Sequence, residues 1–192
     1  MTCLKTSATL YIMDKNFSLG TYGPQLWTRE MAKDIRGEVE SVLGALATGD
    51  TLVIDAKGVE VFDYSFANEL FGKILLGATR EYPGRFLIVE NLTKYTEENL
   101  AKALEGMGIV MIQRKGKGLS LLGKVHPADE ATFSALHSAG KPLLASQLAK
   151  VLKININAMN ERLTKLTNLG VIRREKATSP AGRELYAYIV PR

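Results

Sequence analysis

The sequence holds little of what metal and redox chemistry needs: two histidines and one cysteine in 192 residues. A lone Cys3 cannot close an internal disulfide. This scarcity excludes a conventional zinc centre and predicts a reducing, cytoplasmic setting. Long uncharged apolar runs are missing as well; none approaches the roughly 18 residues of a membrane helix, so no membrane partner is expected. The opening MTCLKTSATLYIMDKN lacks a basic leader with a small-residue cleavage site and signals no secretion. Gly-x-Ser-x-Gly is absent, and His126 and His137 stand beside no recognisable nucleophile. No catalytic residue is therefore predicted, and the chain does not read as an enzyme. Asp14, Asp50, Asp55 and Asp63 follow no metal-loop spacing, so neither metal nor cofactor is expected. Lys115-Gly-Lys-Gly118 lacks the Gly-Lys-Ser/Thr ending of a phosphate loop and reads as a hairpin turn.

What is present is an uneven charge. The whole chain carries 25 basic and 20 acidic residues, a net +5. Residues 1–124 hold 15 of each sign, so all of the excess lies in the last third. There Lys141, Lys150, Lys153, Arg162, Lys165, Arg173, Arg174, Lys176, Arg183 and Arg192 face only five acids. A basic module appended to a neutral one points to a polyanionic partner for that module.

Periodicity supplies the elements. In 28-TREMAKDIRGEVESVLGAL-46, residues Met31, Ile35, Val39, Val42, Leu43 and Leu46 recur at helical spacing, with Thr28 as N-cap. The short β-branched run 51-TLVID-55 and the later 85-RFLIVE-90 fit buried strands. Between them Phe66, Leu70, Phe71, Ile74 and Leu75 mark a helix, capped by Asp63 or Ser65, after a turn at Gly58. Thr96 with Glu97 and Glu98 reads as the start of a third helix, ended by Gly106 or Gly108. Residues 109–113 and 119–123 then form a hairpin. Strands alternating with helices predict an α/β sheet over residues 1–123. The polar stretch 124–128, with Pro127, reads as a linker to a second domain at 129–192.

In that domain Phe133 and Leu136 mark a helix stopped by Gly140, and Leu144, Leu148 and Val151 a second. After a turn at Lys153-Ile154, a third helix carries Met159, Leu163 and Leu166 inward. Two strand-like runs then bracket a Ser-Pro-Ala-Gly turn. Three helices and a hairpin predict a winged helix-turn-helix. Leu148-Ala149, 159-MNERLTKLTNLGVIRRE-175, Gly182-Arg183 and Tyr186 resemble the winged-helix regulators of the MarR and ArsR type. In such a fold the third helix enters the major groove and the wing meets phosphates. The expected contacts with double-stranded DNA are Asn155, Asn157, Asn160, Thr164 and Lys165 on the helix, and Arg173, Arg174, Lys176 and Arg183 on the hairpin. Protein docking is the competing role for the same surface.

The first domain resembles a STAS-like family of unknown function, related in design to the anti-sigma-factor antagonists, through Thr28-Arg29-Glu30, 53-VIDAKGVEVFDYSFANEL-70 and Asn91-Leu92. In the antagonists a serine at this strand-to-helix step is phosphorylated by a GHKL-type kinase. Here the step is Asp63-Tyr64-Ser65; aligned on Asp63, Tyr64 takes the phosphorylated position and Ser65 follows it. The resemblance implies a protein-docking surface at these three residues. It makes Ser65 a candidate phospho-acceptor, against its reading as an N-cap. Together the two resemblances imply a transcriptional regulator acting as a homodimer, or else a phospho-regulated adaptor that binds only proteins.

Overall fold

The computed structural model describes residues 13–178, 182 and 184–191, which divide into two compact units meeting in sequence at Val125 and His126. Among the described residues no helix is long and apolar enough to cross a membrane. Arg183 and residues 179–181 of the expected Ser-Pro-Ala-Gly turn lie outside them.

The first unit opens with β1 (Asp14–Ser18), a 3-10 turn at Leu19–Tyr22 and β2 (Gln25–Leu26). Then come α1 (Arg29–Ala45), β3 (Thr51–Asp55), β4 (Val61–Phe62), α2 (Tyr64–Ala67), a π turn at Asn68–Gly72 and α3 (Lys73–Glu81). It closes with β5 (Phe86–Glu90), α4 (Lys94–Met107), β6 (Val110–Lys115) and β7 (Gly118–Gly123). The main sheet runs β1-β3-β5-β6-β7, parallel except for the last pair, while β2 and β4 make a separate parallel ladder. This is the expected α/β architecture with a mixed sheet. One sheet face, built from Leu52, Ile54, Leu87, Val89 and Met111, packs in a single core with Ile35, Val39 and Leu43 of α1, Phe66 of α2, Leu70, Phe71 and Ile74 along the following helix, and Leu100 and Leu104 of α4.

The helix starts follow the chemistry of their caps. The Thr28 hydroxyl accepts from the Met31 amide at 3.1 Å, as expected. The cap of α4 is Thr93, three residues before the predicted Thr96, and its hydroxyl accepts from the Thr96 amide. Either threonine satisfies the local rule; Thr93 prevails because its hydroxyl also donates to the Glu60 carbonyl at 2.9 Å, tying the helix start to the β3–β4 segment. Of the two predicted stops, Gly108 serves, in the left-handed conformation with φ 67°. Strands β1, β2 and β4 were not visible in the pattern. The first is the polar sequence DKNFS on a sheet edge, and the other two have two residues each.

The second unit contains α5 (Pro127–Ala139), β8 (Leu143–Leu144), α6 (Ala145–Leu152), α7 (Ile156–Asn168), β9 (Arg173–Thr178) and β10 (Glu184–Ile189). Its sheet is antiparallel in the order β8-β10-β9. Phe133, Leu136, Leu148, Met159, Leu163 and Leu166 are all within 1% of full burial. Three expectations change here. Leu144, read as part of the second helix, ends strand β8 and caps α6, pairing with Ala187 of β10. Pro127 and Ala128, predicted as linker, belong to α5: proline suits a first helical turn, and the His126 Nδ1 accepts from the Ala128 amide at 3.2 Å. Val151, one of the apolar residues read as marking the second helix, is 63% exposed. The buried stripe of α6 is centred between Leu148 and Ala149, which leaves Val151 about a third of a turn off it.

Candidate nucleic-acid interface

The polar face of the second unit begins at the turn between α6 and α7. Lys153 adopts a left-handed conformation at φ 53°, unusual for a side chain with a Cβ, and its amide closes back on the Ala149 and Lys150 carbonyls. Three residues then separate the helices. Asn155 caps α7, its Oδ1 accepting from the Ala158 amide at 2.8 Å. That oxygen is thereby held by the backbone.

Along α7 the buried row Met159, Leu163 and Leu166 fixes what faces out. Residues 157, 161, 164 and 168, spaced i, i+4, i+7 and i+11, form the opposite row. They are Asn157, Glu161, Thr164 and Asn168, and all four are exposed. Asn160 is exposed on the flank of this row. The structure therefore brings Asn157, Asn160 and Thr164 together and adds Asn168, which sequence reasoning passed over although the spacing was readable.

Lys165 is differently occupied. Its Nζ lies 2.5 Å from Oδ2 of Asp129 on α5, whose side chain is only 7% exposed.

On the hairpin, strand alternation separates the cations. Arg174 and Lys176 share one face of β9 and are exposed, whereas Arg173 and Glu175 share the other and are ion-paired, with Arg173 only 13% exposed. The Arg174 guanidinium stands 4.8 Å from the centre of the Tyr186 ring, diagonally across the ladder and two residues from the one it faces directly, Tyr188. Lys176 is 3.7 Å from Glu184, both side chains being about three-quarters exposed. Such a pair is weak and easily exchanged. Two further exposed cations, Lys150 and Lys153, flank the α6–α7 turn and were not among the predicted contacts. Their position at the turn, rather than in a basic run, is the signal that would have found them.

In the first unit, the Asp63 carboxylate accepts from the Phe66 amide at 2.7 Å, and the helix begins at Tyr64. Of the two caps expected, Asp63 serves and Ser65 does not. Asp63 has the extended backbone that a cap needs, held by its amide on the Leu26 carbonyl, and Ser65 falls inside the helix. Tyr64 is 45% exposed. Its hydroxyl lies over Gly106 of α4, where an added Cβ would stand 3.0 Å away. Gly58, at φ 87°, makes the turn expected of it. The other carboxylates considered for metal are spent structurally. Asp14 pairs with Arg114, Asp50 accepts from the Met13 and Ala47 amides, and Asp55 accepts from the Lys57 amide and from the side chain of Asn91. Asn91 reaches Asp55 from a left-handed conformation that asparagine tolerates, φ 58°.

No protein-family model matches the chain, and no curated protein matches it. Among solved structures the chain is similar to a possible transcriptional regulator from Methanosarcina mazei Go1, at 18% identity and a TM-score of 0.32. The likeness covers 34% of this chain, and the chain spans 56% of that protein.

Proposed function

We propose that the second unit is a winged helix-turn-helix domain that binds double-stranded DNA, with α7 as the recognition helix and the β9–β10 hairpin as the wing. The first unit is then a STAS-like domain that receives a partner or signal and controls DNA binding, making the protein a non-enzymatic transcriptional regulator of the cytoplasm. The observation that carries this reading is the outward row Asn157, Glu161, Thr164 and Asn168 on a helix whose opposite row is fully buried. An amide-rich row without apolar residues suits base edges in a major groove. The second support is the exposed Arg174, Lys176 and Tyr186 face of the hairpin, which suits phosphates. A homodimer follows from the same logic, because one such helix reaches a half-site only.

The reading of the first unit as a phospho-switched adaptor is less well supported. A phosphate on Ser65 would meet an N-terminus whose Phe66 amide is already taken by the charged Asp63, so like charges would oppose each other there.

Fluorescence anisotropy of the full chain on random duplex DNA across a salt series tests the proposal. Affinity should fall steeply with salt, and an Arg174→Ala/Lys176→Ala variant should flatten the slope by about one unit per contact removed. Arg173→Ala, on the opposite strand face, should leave the slope unchanged. Absence of binding by the wild type at low salt would refute the DNA reading and turn attention to protein partners of the Asp63-Tyr64-Ser65 surface.

A further inference from the structure

Glu161 sits in the middle of the row that the DNA reading turns towards the groove. In the sequence it stands four residues before Lys165, the order in which a glutamate and a lysine on one helix attract each other best. The structure gives that lysine to Asp129 instead, at 2.5 Å. Glu161 is exposed and, among the described residues, has neither an ion pair nor a hydrogen bond to its side chain. Its row-mates Asn157 and Thr164 are neutral. The outward face of α7 therefore carries one uncompensated negative charge at its centre.

A carboxylate on a DNA-binding face is repelled by phosphates and accepts hydrogen bonds only. In the major groove cytosine offers an N4 amino donor with no acceptor on the same base. Adenine pairs its N6 donor with the N7 lone pair, and guanine and thymine present acceptors to a carboxylate. We propose that Glu161 is a base-reading residue that selects cytosine at one position of each half-site. The inference rests on the DNA reading of the second unit. It gives that reading a sequence preference in which Glu161 supplies discrimination and the cations at Lys150, Lys153, Arg174 and Lys176 supply affinity.

The test is selection of bound duplexes from a randomised pool by the full chain, in wild-type, Glu161→Gln and Glu161→Arg forms, followed by sequencing. Because the residue is exposed, the variants should fold as the wild type does, which circular dichroism verifies. The wild type is expected to enrich cytosine about ten-fold at one position per half-site. Glu161→Gln should lose that preference while keeping the others and the salt slope. Glu161→Arg should move the preference at the same position to guanine, whose O6 and N7 match a guanidinium. Variants that bind every duplex more tightly with unaltered preferences would overturn the proposal, leaving Glu161 a merely repulsive charge. So would a wild type that binds DNA with no cytosine preference. A wild type that retains no duplex at all would refute the DNA reading itself, and this inference with it.

Discussion

Separating Lys165 from Asp129 perturbs the interior of the second unit and its surface charge together. The Asp129 side chain is 7% exposed and that of Lys165 56%, with the charged atoms 2.5 Å apart. A fully exposed pair contributes about 0–1 kcal/mol. Stranding one buried charge costs about 3–5 kcal/mol. This pair lies between the two cases, and its two ends are not equivalent. Asp129→Asn removes the buried charge while keeping the shape, so the loss should be about 1–2 kcal/mol. Part of that loss comes from the first turn of α5, where the helix dipole favours an acid. Lys165→Met leaves the buried carboxylate alone and should cost more, about 2–3 kcal/mol. Urea unfolding of both single variants and the double variant, with hydrogen exchange in α5 and α7 to assign the transition, gives the coupling directly. A coupling under about 0.3 kcal/mol, the scatter of independent sites, would refute the argument that burial of Asp129 makes the pair count. The reverse order of the single-variant losses would refute it equally. Asp129→Asn also releases Lys165, and under the DNA reading the salt slope should then steepen by up to about 0.9 for each bound chain.

Two further outcomes concern the first unit. An added Cβ at Gly20 would stand 2.3 Å from the Lys57 backbone oxygen, and backbone cannot step aside as a side chain can. Gly20→Ala should therefore destabilise by about 2 kcal/mol or more, read as a lowered thermal midpoint, and an unchanged midpoint would show that the close approach does not exist. Burial, together with the hydrogen bond its hydroxyl donates to Glu38 at 2.7 Å, pushes the Tyr22 pKa from the usual 10.0 up to about 12. The folded state thus holds the proton more tightly than the unfolded one. The resulting stability is complete below pH 10 and is lost as pH rises towards 12. Urea midpoints of wild type should fall through that window more steeply than those of Tyr22→Phe, and parallel curves would contradict the assignment.

Much of the first unit was legible because its strands and helices are long enough to show a period. The run TLVID and the stripe Ile35, Val39, Leu43 and Leu46 carry their own burial pattern, and the structure reproduces it. What failed to show was decided by partners far away in sequence. β1 is polar and gains its strand state only by pairing with β3. The choice of Thr93 over Thr96 was settled by a carbonyl 33 residues earlier. Gly20 reads as an ordinary turn glycine, yet its lack of a side chain is what admits the Lys57 carbonyl.

The same distinction governs the candidate site. Counting charge treats all ten basic residues of the tail alike, and the fold does not. Asp129 takes Lys165, Glu175 takes Arg173, and the Arg162 side chain donates to the Ala128 carbonyl. Near the turn and on the hairpin, Lys150, Lys153, Arg174 and Lys176 are exposed, and under the DNA reading they supply the phosphate contacts, with Arg183 outside the described residues. About four phosphate contacts per chain imply a slope of log affinity against log salt near −3.6 for each bound chain, and about −7 for the homodimer. A slope close to that value would show that the partners found in the fold, not the net charge of the sequence, set the electrostatics of binding. A much steeper slope would mean that the ion pairs of Arg173 and Lys165 open on DNA, and the Asp129→Asn variant would then differ little from wild type.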